Sequence, residues 1–132
     1  MTIFRGALRQ VPPSMLRSPA AVEAVMKPVA NFVGWPSMVL PTGVSVLPDR
    51  ISDLPGEWLL PPGYPLKVPR EADRLLLWAH GGGFAFCSPG THRLFLAKVA
   101  ARAEIPVFCV DYRKPPEFPF PAPGQDVLST YK

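Results

Sequence analysis

Residues 74–84 read RLLLWAHGGGF, and the fold turns on how they are parsed. Five apolar residues, Leu75, Leu76, Leu77, Trp78 and Ala79, run into His80 and then into Gly81, Gly82 and Gly83. The run is too short for a helix and is bounded by glycines, which predicts a buried β-strand. Three glycines leave the following turn without a Cβ atom. Its backbone is free to take φ > 0 and to face its N–H groups outward, toward an anion. In open α/β sheets, ligands and catalytic groups gather at the carboxyl ends of the strands, where this turn falls.

The chain beyond the turn continues the α/β pattern. Residues 84–90 read as a loop. Thr91 is a candidate helix N-cap, with Ser88 ahead of Pro89 as an alternative start. Leu96, Val99, Ala100 and Ala103 lie on one helical face, with Lys98 and Arg102 on the other. Residues 105–110 form the next apolar strand, with Pro106 confined to its start. Strand, helix and strand at this spacing predict a βαβ unit with a parallel pair. Residues 115–123 are proline-rich and predict a rigid extended arm, and residues 125–132 open a second helix. Upstream, residues 44–47 and 56–60 read as two short strands separated by turn signals, and Pro61-Pro62-Gly63 closes the second.

A second block gives the glycine turn a meaning. Residues 111–122 read DYRKPPEFPFPA. Together with HGGG after a strand, this resembles the α/β-hydrolase esterases and lipases of the hormone-sensitive-lipase family. That family carries HGGG in its oxyanion loop and a DYRLAPE-x-PFPA segment downstream. The match departs at Lys114-Pro115, where the family has Leu-Ala, and the resemblance spans residues 44–132.

The fold it implies is a partial α/β-hydrolase fold. It has a mixed, mostly parallel sheet, cap helices over residues 1–40 and the N-terminal half of the hydrolase domain over 41–132. It further implies oxyanion-hole donors at Gly82 and Gly83, and structural motif roles for His80 and Gly81. Asp111, Tyr112, Arg113 and Glu117 become scaffold residues, with Arg113 holding Glu117 or Asp126.

One part of the family pattern is missing. These enzymes need a G-x-S-x-G elbow followed by an acid and a histidine. Ser45, in Gly43-Val44-Ser45-Val46-Leu47, lacks the second glycine, and the only histidines are His80 and His92. The sequence therefore reads as the N-terminal part of an ester hydrolase, with nucleophile, acid and base all absent and the chain inactive alone. Its completed form would act on a small ester or lactone.

Composition narrows the alternatives. The hydrophobic fraction of 48% is enough for a core. Nineteen prolines, mostly outside residues 70–114, argue against long helices in the flanks. A net charge of +4 comes from scattered Lys and Arg without a basic stripe, which argues against nucleic acid. No apolar run reaches the length of a membrane span. Cys87 and Cys109 lack metal spacing and predict free thiols in a reducing compartment. Cys109 would be a core residue, and Cys87 either packed or reactive.

The expected location is cytoplasmic, with a mitochondrial leader as the alternative because Arg5, Arg9 and Arg17 stand in an acid-free N-terminus. Phe32, Val33, Trp35 and Met38 would line a cap wall or cover the sheet edge. No cofactor or metal is expected. A dinucleotide module is a rival reading of Gly81-x-Gly83, but Phe86 stands where its third glycine belongs. A non-catalytic interaction module is another. The edge of the strand at 75–79, expected to lack a neighbour, is a candidate for self-association.

Overall fold

The computed structural model describes residues 39–65 and 69–132, with Ser18 and Ala24 besides. The cap expected over residues 1–40, including Phe32, Val33, Trp35 and Met38, lies outside the described residues apart from those few positions. β1 (Ser45–Ile51) and β2 (Leu54–Leu60) form an antiparallel hairpin, Ile51 facing Leu54 and Ser45 facing Leu60. Its two-residue loop, Ser52 and Asp53, has φ of 50° and 64°. Two successive positive φ values make a turn whose twist matches that of the strands it joins.

This corrects the sequence reading, which places a turn region where β1 still runs. Pro48, Asp49 and Arg50 are strand residues paired with Glu57, Gly56 and Pro55. Pro48, which lacks an N–H, is tolerated because β1 is an edge strand. Pro61-Pro62-Gly63 does close β2, with the Tyr64 N–H donating to the Pro61 carbonyl at 3.1 Å.

β3 (Leu76–Ala79), α1 (Pro89–Ala103) and β4 (Val107–Val110) form the expected βαβ unit, and α2 (Ala122–Tyr131) follows. β3 and β4 are parallel, with Leu77 beside Phe108, while β2 pairs with β4 antiparallel. The sheet order is β1-β2-β4-β3, so β4 lies between β2 and β3. Pro106 precedes β4, and its carbonyl accepts the Leu76 N–H at 2.9 Å.

The helix face differs from the periodicity: Ala97 joins it, Val99 is only partly buried and Ala103 leaves it. Leu96, Ala97 and Ala100 are fully buried, whereas Ala103 is exposed. α1 ends there, and Glu104 in the left-handed region caps it by donating its N–H to the Ala100 carbonyl. α1 opens at the Ser88-Pro89 alternative rather than at Thr91. The Ser88 N–H donates to Thr91 Oγ1 at 3.2 Å, one half of a capping box.

The core has two layers, one on each face of the sheet. On the α1 face Leu59, Val107 and Cys109 meet Leu96, Ala97 and Ala100, with Leu76 and Trp78 packed alongside. On the other face Trp58, Leu60, Phe108, Val110 and Tyr112 pack together, with Trp58 and Phe108 ring centroids 4.9 Å apart. β4 is buried at all four positions, as befits a central strand covered on both faces. Burial pushes the Cys109 thiol up to about 12, so it is an inert core residue.

The proline-rich stretch is not an extended arm. It folds through two turns, closed by Phe118 N–H to the Lys114 carbonyl and Ala122 N–H to the Pro119 carbonyl. α2 starts at Ala122, earlier than residue 125, because proline at the first helical positions lacks an N–H that would be unpaired anyway.

Candidate functional site

β3 and β4 are parallel neighbours, so the segments leaving their carboxyl ends emerge side by side. His80 follows β3; Asp111 and Tyr112 follow β4. The His80 ring is buried and stacks on the Tyr112 ring, centroids 4.2 Å apart and planes 15° from parallel. The Tyr112 hydroxyl donates to the His80 carbonyl at 2.6 Å. Burial pushes that phenol up to about 12, keeping it a donor at neutral pH. The two sequence blocks are thus joined through one residue from each.

The His80 ring points away from any role as a free base. Its Nδ1 lies 2.9 Å from the Gly81 carbonyl, which can only accept, so Nδ1 carries the proton. Nε2 is buried without a hydrogen-bond partner, and Asp111 Oδ1 lies 3.8 Å away, beyond bonding distance. The ion-pair partner of Asp111 is Lys114, whose ammonium reaches Asp111 Oδ1 at 2.6 Å.

The glycine turn is a run of left-handed backbone. Gly82, Gly83 and Phe84 have φ of 120°, 59° and 64°, and Cys87 has 70°. The Gly82 carbonyl accepts the N–H groups of Ala85 and Phe86 at 3.1 and 3.2 Å, which closes the turn on itself. A Cβ at Gly82 would stand 2.1 Å from the Phe86 carbonyl oxygen, so the residue is glycine for space as well as for φ. At Gly83 a Cβ would meet nothing within 4 Å, and only φ constrains the position. The Gly81 N–H is taken by His92 Nε2 at 3.3 Å. The N–H groups of Gly82 and Gly83 have no acceptor among the described residues.

An open cleft of about 280 Å³ lies between this turn and the segment after β4. Ala85, Phe86 and Cys87 line one side; residues 111–115, Glu117 and Phe118 line the other. Arg113 makes its pair with Asp126, not Glu117. Its Nε and terminal nitrogen reach the carboxylate at 3.1 and 2.7 Å, and its backbone N–H adds a bond at 2.8 Å. The Arg113 guanidinium holds the buried Asp126 carboxyl below its usual value, against burial. Glu117 is exposed, with no ion pair among the described residues, and stands at the cleft.

Two contributors carry no signal in the sequence reading. Glu57, buried in β2, takes Arg93 of α1 at 2.7 Å and ties the helix to the sheet. His92, one turn into α1, fixes the first glycine of the turn. Among the described residues no group of three or more His, Cys, Asp or Glu side chains is arranged to hold a metal, and no helix is long and apolar enough to cross a membrane.

Comparison with known proteins bears on the same stretch. Residues 76–132 match the family model of the alpha/beta hydrolase fold. The chain is 34% identical over 94 residues to an acetyl-hydrolase of Streptomyces hygroscopicus, covering 64% of this chain and 31% of that protein. It is 34% identical over 105 residues to an ethyl acetate hydrolase of Pseudomonas putida, covering 73% of this chain and 32% of the relative. The crystal structure of an esterase from the bacterial hormone-sensitive lipase family superposes with a TM-score of 0.67 at 29% identity, over 96% of this chain and 38% of that one. The chain therefore spans about a third of the length of the proteins it matches.

Proposed function

We propose, from the premise that this chain belongs with the hormone-sensitive-lipase-like esterases of the α/β-hydrolase fold, that it supplies the oxyanion-stabilising part of a serine-dependent carboxylic-ester hydrolase. The observation that carries this is the pair of N–H groups at Gly82 and Gly83 without an acceptor among the described residues, in a turn at the carboxyl end of a parallel strand that leads into Ala85, Phe86 and Cys87 on the wall of a cleft. Attack on an ester carbonyl moves negative charge onto its oxygen. Fixed backbone donors stabilise that charge without reorganising, and losing one costs about 3–4 kcal/mol of barrier.

In this reading Gly82 and Gly83 are two donors. A third comes from the residue after a serine nucleophile in a G-x-S-x-G elbow, which these 132 residues do not contain. Gly81 and His80 shape the turn: the His80 carbonyl is anchored by Tyr112, and its ring, with no path to a reacting proton, is not the general base. Asp111, Tyr112, Arg113 and Glu117 are scaffold and cleft residues. The substrate is a small ester or lactone, and the chemistry calls for neither metal nor cofactor. Residues 41–132 form the N-terminal half of the catalytic domain, with a cap in residues 1–40. The outer edge of β3, which has no strand partner among the described residues, is a surface for self-association.

The test is purified chain against a chromogenic short-chain acyl ester. No turnover is expected, because nucleophile, acid and base are absent. Turnover abolished by a serine-directed phosphonate would overturn that expectation, and the adduct would identify the serine. The dinucleotide reading has no observation in its favour: Phe86 occupies the third glycine position, and its carbonyl packs against Gly82.

A further inference from the structure

The Gly81 peptide is the first of the glycine turn, and its N–H is held by a side chain from a different element, His92 of α1. Which tautomer His92 adopts follows from its neighbours. The Thr91 hydroxyl donates its one proton to the Ser88 carbonyl at 2.7 Å. Thr91 Oγ1 therefore acts as acceptor toward His92 Nδ1, 2.9 Å away, as it does toward the Ser88 N–H. That places the imidazole proton on Nδ1 and leaves Nε2 as a lone-pair acceptor for the Gly81 N–H at 3.3 Å. The chain Ser88, Thr91, His92, Gly81 thus ties the start of α1 to the start of the turn.

We propose that His92 is a positioning residue for the oxyanion turn, and that it works only in its neutral form. Protonation would put a second N–H on Nε2, donor against donor at Gly81, and the bond would be lost. Three features keep the ring neutral. Partial burial removes water from the charged form and, with the His80 ring 5.9 Å away between centroids, holds the His92 pKa below the usual 6.5. His92 also lies in the first turn of a 15-residue helix, the positive end of its dipole. The other charged groups nearby are committed elsewhere: Arg93 to Glu57, and Asp111, next to His80, to Lys114.

A group whose pKa is depressed in the folded state stabilises that state when unprotonated. For His92 the contribution is present above 6.5 and lost as pH falls from there through the lower folded value. The turn is expected to loosen in mild acid while the sheet below it stays folded.

The inference rests on the oxyanion reading for its importance, but its test needs neither substrate nor a complete enzyme. The chain is titrated from pH 8 to about 5 by proton–nitrogen NMR, following the Gly81 amide and the His92 ring nitrogens. The two are expected to move with one midpoint below 6.5, with neutral His92 showing the proton on Nδ1. In His92→Phe the Gly81 amide should lose about five- to tenfold of its protection against exchange, and its chemical shift should no longer titrate with the His92 midpoint. His92→Gln, whose side-chain oxygen can accept the same N–H, should restore protection without a titration. A Gly81 amide indifferent to the His92 titration, or a neutral ring protonated on Nε2, would overturn the proposal. The wild-type titration uses no variant, so it decides the matter even if the His92→Phe protein does not fold. A failed oxyanion role, read separately from turnover, would not move this titration.

Discussion

The segments that leave the carboxyl ends of β3 and β4 lie side by side and are held in shape by opposite means. The turn after β3 is shaped by backbone: positive φ at Gly82, Gly83 and Phe84, and a glycine pressed against the Phe86 carbonyl. The segment after β4 is shaped by side chains: Arg113 on Asp126, Lys114 on Asp111 and Tyr112 on the His80 carbonyl. The first arrangement leaves the Gly82 and Gly83 N–H groups without an acceptor among the described residues. The second commits Arg113, Lys114 and Tyr112 to internal partners and leaves Glu117 exposed at the cleft. Function and support divide along the same line. In the proposed role, donors for a developing charge come from the glycine turn, and support comes from the ion-paired segment after β4.

The contrast breaks most severely at Gly82. Gly82→Ala forces a Cβ to within 2.1 Å of a backbone oxygen at φ of 120°, and a loss of about 3 kcal/mol in unfolding free energy is expected. Denaturant unfolding measures it; a loss under about 1 kcal/mol would mean that the turn is not held as described.

Asp126→Asn should destabilise less, through the charged pair after β4. It should also flatten the acid limb of the stability profile. The Asp126 carboxyl is held below 3.8, so its contribution is present above that value and is lost as pH falls through the lower folded one. Thermal scans of both proteins between pH 2 and 6 would read the difference, and an acid limb unchanged by the substitution would contradict the pairing.

Gly83→Ala sharpens the contrast with Gly82. Its Cβ meets open space at φ of 59°, so only the left-handed conformation is penalised, at about 1 kcal/mol. Equal losses at the two glycines would show that φ, and not the Phe86 contact, sets both. Lys114→Leu, which installs the residue the family block carries there, is the mildest change. A partly exposed ion pair of this kind contributes under about 1 kcal/mol. A larger loss in the same unfolding assay would make Lys114 a structural residue of this chain.

The backbone-shaped segment is largely legible in the sequence, and the side-chain-shaped one is not. Three glycines after an apolar run admit few structures, because almost no other residue takes those φ values without strain. The parallel pair of β3 and β4 likewise follows from the strand–helix–strand spacing. The Glu57–Arg93 pair joins residues 36 apart, and nothing local marks it. Arg113 has two acids within reach in sequence, Glu117 and Asp126, and the turns at residues 115–121 point it to the second. The β1–β2 turn escapes a sequence reading because Ser52 and Asp53, not glycines, occupy its left-handed positions. His92 carries no periodic or motif signal; only the close approach of α1 to the turn makes it a partner of Gly81.

The most direct measurement is kcat for a short-chain acyl ester, made on this chain extended to include a G-x-S-x-G elbow with its acid and histidine, as it stands and with Gly83→Val. A branched side chain at φ of 59° distorts a peptide assigned as an oxyanion donor. The expected result is a kcat lower by roughly a hundredfold, with a smaller change in KM. A folded Gly83→Val enzyme with unchanged kcat would contradict the assignment.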